Sequence, residues 1–151
     1  PVFFGEYSAF AREAANALRE KHVVIKPINK TMDEWVDATT RGTADFVLGR
    51  WQADFPDADS FANILDTKEG LLGRLCGSPE VDRLIARGRS ETSPPARHAI
   101  YRQIEETIAR EVLLIPLFHE QTYRFVRPEV EGLSLSHGSV AVNYASLRIR
   151  G

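Results

Sequence analysis

A strand, a capped helix and a second strand follow one another through residues 22–51, and this order constrains the fold more than any other feature. His22-Val23-Val24-Ile25-Lys26-Pro27-Ile28 is a β-branched run suited to a pleated surface. Thr31-Met32-Asp33-Glu34 then matches the S/T-x-x-E capping box, in which hydroxyl and carboxylate each accept from an otherwise unpaired backbone N–H. It starts a helix that runs to about Thr40 and stops at Gly42, and Ala44 to Trp51 is predicted as the second strand. Short connections in this order predict a crossover between adjacent parallel strands. Ligands of such sheets collect at the carboxyl ends of the strands, and Trp51 and Asp54 stand at one such end.

The other elements are read from periodicity and caps. Tyr7 to Lys21 is predicted helical, with Phe10, Ala14, Ala17 and Leu18 as its apolar stripe. Asp59 or Ser60 caps a short helix reaching about Asp66, and Gly70 to Gly77 reads as a loop. Ser78-Pro79-Glu80 joins a cap, a proline at the first helical position and an acid in the first turn. Thr92-Ser93-Pro94 opens another helix, on which Ile100, Ile104, Ile108 and Val112 recur every four residues as a core ladder. Leu113 to Phe118, Tyr123 to Val126 and Val140 to Ile149 read as strands, the first at an edge because Pro116 has no amide to give. The sum is an α/β fold, a mixed sheet flanked by helices, and 151 residues suit one domain.

On leaving the second strand the chain reads Gly49-Arg50-Trp51-Gln52-Ala53-Asp54-Phe55-Pro56-Asp57-Ala58-Asp59-Ser60-Phe61, three carboxylates among aromatic rings. An EF-hand needs oxygens at alternate positions, a central glycine and a distant bidentate glutamate; here Pro56 intrudes and the glycine is missing, so no metal is assigned. Asp57 and Asp59 suit turn and cap duties. Asp54 differs, since it lies between Trp51 and Phe55 with no helix start in reach. A carboxylate beside an indole suits a ligand cation, with charge pairing on one side and ring contact on the other. Plain core packing is the alternative for Trp51.

Several function classes drop out. Lys+Arg 19 against Asp+Glu 21 gives a net charge of -2, which leaves no basic footprint for nucleic acid or a lipid surface. No apolar run approaches the ~20 residues of a bilayer span. A single cysteine, Cys76, excludes an internal disulfide. His22, His98, His119 and His137 share no metal-ligand spacing, and Ser136-His137 is no triad. His119-Glu120 could serve acid–base chemistry, yet no G-x-S-x-G, H-E-x-x-H or glycine-rich phosphate loop accompanies it. Neither an enzyme nor a cofactor is predicted.

Three ordered motifs carry a family resemblance. Trp51-Gln52-Ala53-Asp54-Phe55-Pro56-Asp57 with Phe61 resembles the W-x-A-D-[YF]-x-[DE]-P-x-[SN]-F segment of the family 5 extracellular solute-binding proteins, the oligopeptide- and dipeptide-binding receptors of ABC importers. Ser78-Pro79-Glu80-Val81-Asp82-Arg83-Leu84-Ile85 is similar to their S/N-P-E-x-D-x-L-[IL] helix start. Arg97, Tyr101, Ile104, Glu105, Ile108, Glu111 and Ile115-Pro116-Leu117-Phe118 are similar to their R-x-x-x-Y-x-x-[IA]-E-x-x-[IL]-x-x-E-x-x-x-[IV]-P-L-[FY] run. The resemblance spans about Tyr7 to Leu133.

The resemblance implies one lobe of a two-lobed, type II periplasmic-binding-protein architecture. Residues 1–151 would form a single domain, most of the second, C-terminal lobe, with the first lobe preceding and absent from this stretch. It implies that Asp54 takes the α-ammonium of a bound peptide, that Trp51 lines the neighbouring side-chain pocket, and that Gln52 and Ala53 complete the ligand-binding segment. The implied ligand is a peptide or another cationic solute, the implied partners are ABC permease subunits, and the implied location is periplasmic or lipid-anchored outside the membrane. The alternative is an intracellular ligand sensor, the same lobe fused to a DNA-binding or kinase domain in the cytoplasm.

Overall fold

The computed structural model describes residues 2–4, 8–119, 121, 123–135 and 142–150. Two of its helices start at side-chain caps. The Thr31 hydroxyl accepts from the Glu34 amide at 3.3 Å, and the Glu34 carboxylate accepts from the Thr31 amide at 3.0 Å, which starts α2 (Met32–Thr40). The hydrogen bond from the Thr31 amide is also what most lowers the Glu34 carboxyl below the ordinary range. Ser78 accepts from the Val81 amide at 3.3 Å and starts α5 (Pro79–Ser90), and α6 (Pro94–Glu111) follows after a short turn. These two helices form the main helix pair, and their apolar faces meet through Val81, Leu84 and Ile85 on one side and Ile100, Tyr101 and Ile104 on the other. Trp35 and Ala38 of α2 join the same core, as do Ile64 and Leu65 from the turn after α3 (Asp59–Ala62). A further helical turn, α4 (Gly73–Cys76), occupies the stretch predicted as a loop.

Two helical stripes depart from the predicted ones. In α1 (Ser8–Glu20) Ala11 and Ala15 are buried and Leu18 is half-buried, whereas Phe10, Ala14 and Ala17 are exposed. Small alanines let that face sit close to its neighbours, while the Phe10 ring stacks at 5.2 Å on Phe118 instead. Tyr7, the predicted helix start, lies outside the described residues. In α6 the ladder stops at Ile108: Val112 caps the helix in a left-handed conformation, φ 53°, and is exposed. Tyr101 takes a buried place that the every-fourth-residue pattern did not mark.

The strands are shorter than predicted and differently placed. β1 (Val2–Phe4) and β2 (Ile28–Lys30) pair in parallel, with Val2 opposite Ile28, and α1 lies between them in sequence. The parallel crossover therefore exists, one element earlier in the chain than the capping box suggests. Of the predicted strand 22–28 only Ile28 enters the ladder. Among the described residues, segment 44–51 shows a single bridge, at Val47, rather than a ladder, and beside it the Trp35 indole N–H donates to the Leu48 carbonyl at 3.1 Å. Segments 113–118 and 123–126 carry no regular pairing among the described residues. β3 (Val130–Glu131) and β4 (Arg148–Ile149) pair antiparallel, Val130 opposite Ile149. Within the predicted strand 140–149, a helical turn at Tyr144–Ser146 capped by Asn143 breaks the run, and Val140 lies outside the described residues. Among the described residues the strands thus form two separate two-stranded sheets, one parallel and one antiparallel, beside the helices. Among the described residues no helix is long and apolar enough to cross a membrane.

Candidate functional site

The segment after Val47 walls a groove of about 1120 Å³. Val47 to Ala53, Pro56 to Ala58 and the stretch Leu114 to His119 all line it. The backbone passes close over α2: a β-carbon at Gly49 would lie 2.7 Å from Cζ2 of Trp35, so only glycine admits the indole there. Trp35 therefore supports the groove floor from the core, and sequence reading assigned it no role. Its signal was available, since Trp35, Ala38 and Thr39 share the buried face of α2.

Trp51, Gln52 and Ala53 all line the groove. Trp51 is 37 % exposed, and its indole N–H donates to the Ser60 carbonyl at 2.6 Å, so the ring is held rather than swinging. Ala53 is buried. Asp54, next along, is exposed and stands beyond the described residues that line the groove, and its amide donates to the Ser60 hydroxyl at 2.9 Å. Ser60 is fully buried, so a single anchored serine fixes both ends of the Trp51–Asp54 turn.

The other two aspartates have different employment. Asp57 accepts the Asp59 amide at 2.8 Å, which is the turn duty predicted for it. It also receives both forks of the Arg97 guanidinium, at 2.7 and 2.8 Å. That arginine, and then the Asp59 amide, holds the Asp57 carboxyl below the ordinary carboxylate range. Asp59 lies within α3 and is no cap; Arg89 donates to both its oxygens at 3.1 Å, and the Tyr101 hydroxyl donates to one at 3.1 Å. Burial, reinforced by that bond to Asp59, pushes the Tyr101 hydroxyl up to about 12. The Arg-x-x-x-Tyr motif and the aspartate loop are thus one network. Nothing in the sequence joins them, since the bonded partners lie 40 and 42 residues apart. His119 borders the groove, whereas Glu120, Ser136 and His137 lie outside the described residues.

No protein-family model matches the chain. It is similar to the periplasmic oligopeptide-binding protein OppA of Escherichia coli strain K12, 26% identical over 121 residues, 79% of this chain and 22% of that protein. It is 31% identical over 140 residues to the "Probable deoxycholate-binding periplasmic protein YgiS" of the same organism, covering 89% of this chain and 26% of that one. Among solved structures, Haemophilus influenzae OppA in complex with RPPGFSPFR superposes with a TM-score of 0.77 at 22% identity, over 99% of this chain and 30% of that one. The chain therefore spans about a quarter of the length of the relatives it matches. Its fold is that of one lobe of the two-lobed periplasmic binding architecture. By sequence and by fold together, the chain resembles one lobe of the family 5 extracellular solute-binding proteins.

Proposed function

We propose that this chain is most of the second, C-terminal lobe of a periplasmic receptor that binds peptides and hands them to an ABC permease. The first lobe, preceding it in the full-length protein, supplies the other half of the site. Asp54 takes the ligand's α-ammonium, Trp51 contacts the adjoining side chain, and Gln52 and Ala53 shape the wall between them. The observation that carries this reading is the placement of Trp51-Gln52-Ala53 along a groove, with the exposed Asp54 directly after them.

The chemistry suits the task. An ammonium group leaving water loses several kcal/mol of solvation unless an opposite charge replaces it. A fixed carboxylate does this for any peptide sequence, while a roomy groove accepts varied side chains through water-mediated contacts. Binding, not catalysis, is the outcome, and closure of two lobes signals that the site is filled. One lobe by itself leaves the ligand's other face in water, so tight binding needs the full-length protein.

A second reading has a specific observation behind it. The groove carries Arg50 and Arg124 beside Trp35, Phe61 and Phe118, a lining that also suits an apolar anion such as the deoxycholate in one relative's name. Native mass spectrometry of the full-length protein, purified without added ligand, separates the two. Bound masses matching short peptides are expected, and a carried set made up of steroid-like anions would overturn the peptide reading.

A further inference from the structure

We infer that Arg97 and Tyr101, on α6, are positioning residues that hold the ligand loop 51–60 in its binding shape, acting through Asp57 and Asp59. This rests on the peptide reading of the loop and adds the machinery that presents it. The links run in four steps from Trp51 and Asp54 to α6, through Asp57, which itself lines the groove. Trp51 and Asp54 are both tied to Ser60, by 2.6 and 2.9 Å hydrogen bonds. Ser60 lies in α3, next to Asp59. Asp59 is bound by Arg89 and by the Tyr101 hydroxyl, and its amide is bound by Asp57. Asp57 in turn receives the Arg97 fork.

Arg97 is the hub. Its Nε donates to the Gly88 carbonyl at 3.0 Å, one amino group donates to the Tyr101 hydroxyl at 3.1 Å, and its guanidinium carbon stands 4.8 Å from the centre of the Tyr101 ring. One planar cation therefore joins the loop, the last turn of α5 and the first turns of α6. A lysine would keep the charge and lose the fork, so it could serve one of these acceptors and not all of them. The loop between Val47 and α3 has no regular secondary structure of its own, so its shape must come from such side-chain ties.

Two variants of the full-length protein test this, with the tripeptide Ala-Ala-Ala as probe. Arg97→Lys is expected to raise amide exchange at Asp54 and Asp59 about tenfold in the ligand-free protein, to leave the Ile104 amide unchanged, and to weaken tripeptide binding about tenfold. Tyr101→Phe removes one hydroxyl, so the same ordering with smaller changes is expected, because Arg89 still holds Asp59. Loop amides as protected in both variants as in the parent would overturn the inference. So would a loosened loop with unchanged affinity. Should Arg97→Lys loosen Ile104 as well, Tyr101→Phe decides the case. A parent protein that ignores the tripeptide while its loop amides respond retires the peptide reading and supports the clasp as the holder of the loop.

Discussion

A β-carbon added at Gly88 would lie 3.0 Å from two Tyr101 ring atoms and 3.2 Å from its hydroxyl, on the seam where α5 meets α6. Neither helix can yield without moving the clasp, so Gly88→Ala is expected to cost about 1–3 kcal/mol as an overpacked site, read in a denaturant melt. The titrating pair beside it has opposite signs. Asp57 is depressed by Arg97, so its contribution to stability is present above the unfolded carboxylate value of about 4 and is lost as pH falls through the folded one. Tyr101 is pushed up to about 12, so its contribution is present below the unfolded value of about 10 and is lost as pH climbs from there towards 12. Melting curves across pH should show both limbs, with Asp57→Asn flattening the acid limb and Tyr101→Phe the alkaline one. At this scale the sequence told half the story. Asp57 reads as a turn residue from its neighbours, but its arginine partner lies 40 residues away, and nothing local announces such a distance.

At the scale of elements, the caps at Thr31 and Ser78 were legible, whereas the cap expected at Asp59 or Ser60 and most of the strands were not. A cap is a local contract: Thr31 needs only Glu34, and Ser78 needs only Val81. Thr31→Ala is accordingly expected to destabilise by about 1 kcal/mol in thermal unfolding. A strand depends on what lies beside it, and here Val47 and Leu48 line the groove with Trp35 bonded to the Leu48 carbonyl, while 114–118 is exposed without regular pairing among the described residues. The helix stop at Val112 went unread for a related reason. A β-branched residue at φ 53° is unfavourable and has no sequence signature, whereas Asn tolerates that region. Val112→Asn is expected to stabilise by about 1 kcal/mol in the same assay. The stripe of α1 was misplaced by one position because alanine and phenylalanine both count as apolar, and only packing tells which is turned inward.

For the molecule as a whole, the motif that names the family also builds the groove wall, and the motif downstream of it braces that wall from behind. Within one short loop, Trp51 to Ala53 and Pro56 to Ala58 line the groove, while Asp57, Asp59 and Ser60 carry the ties to the scaffold. The proposed role of Asp54 is to meet a positive charge on the ligand. Titration calorimetry on the full-length protein should be run with the wild-type and Asp54→Asn forms against one short peptide, free and N-acetylated. The expected result is a loss of about 2–5 kcal/mol for Asp54→Asn with the free peptide and little further loss on acetylation. Equal affinity of both forms for the free peptide would contradict it.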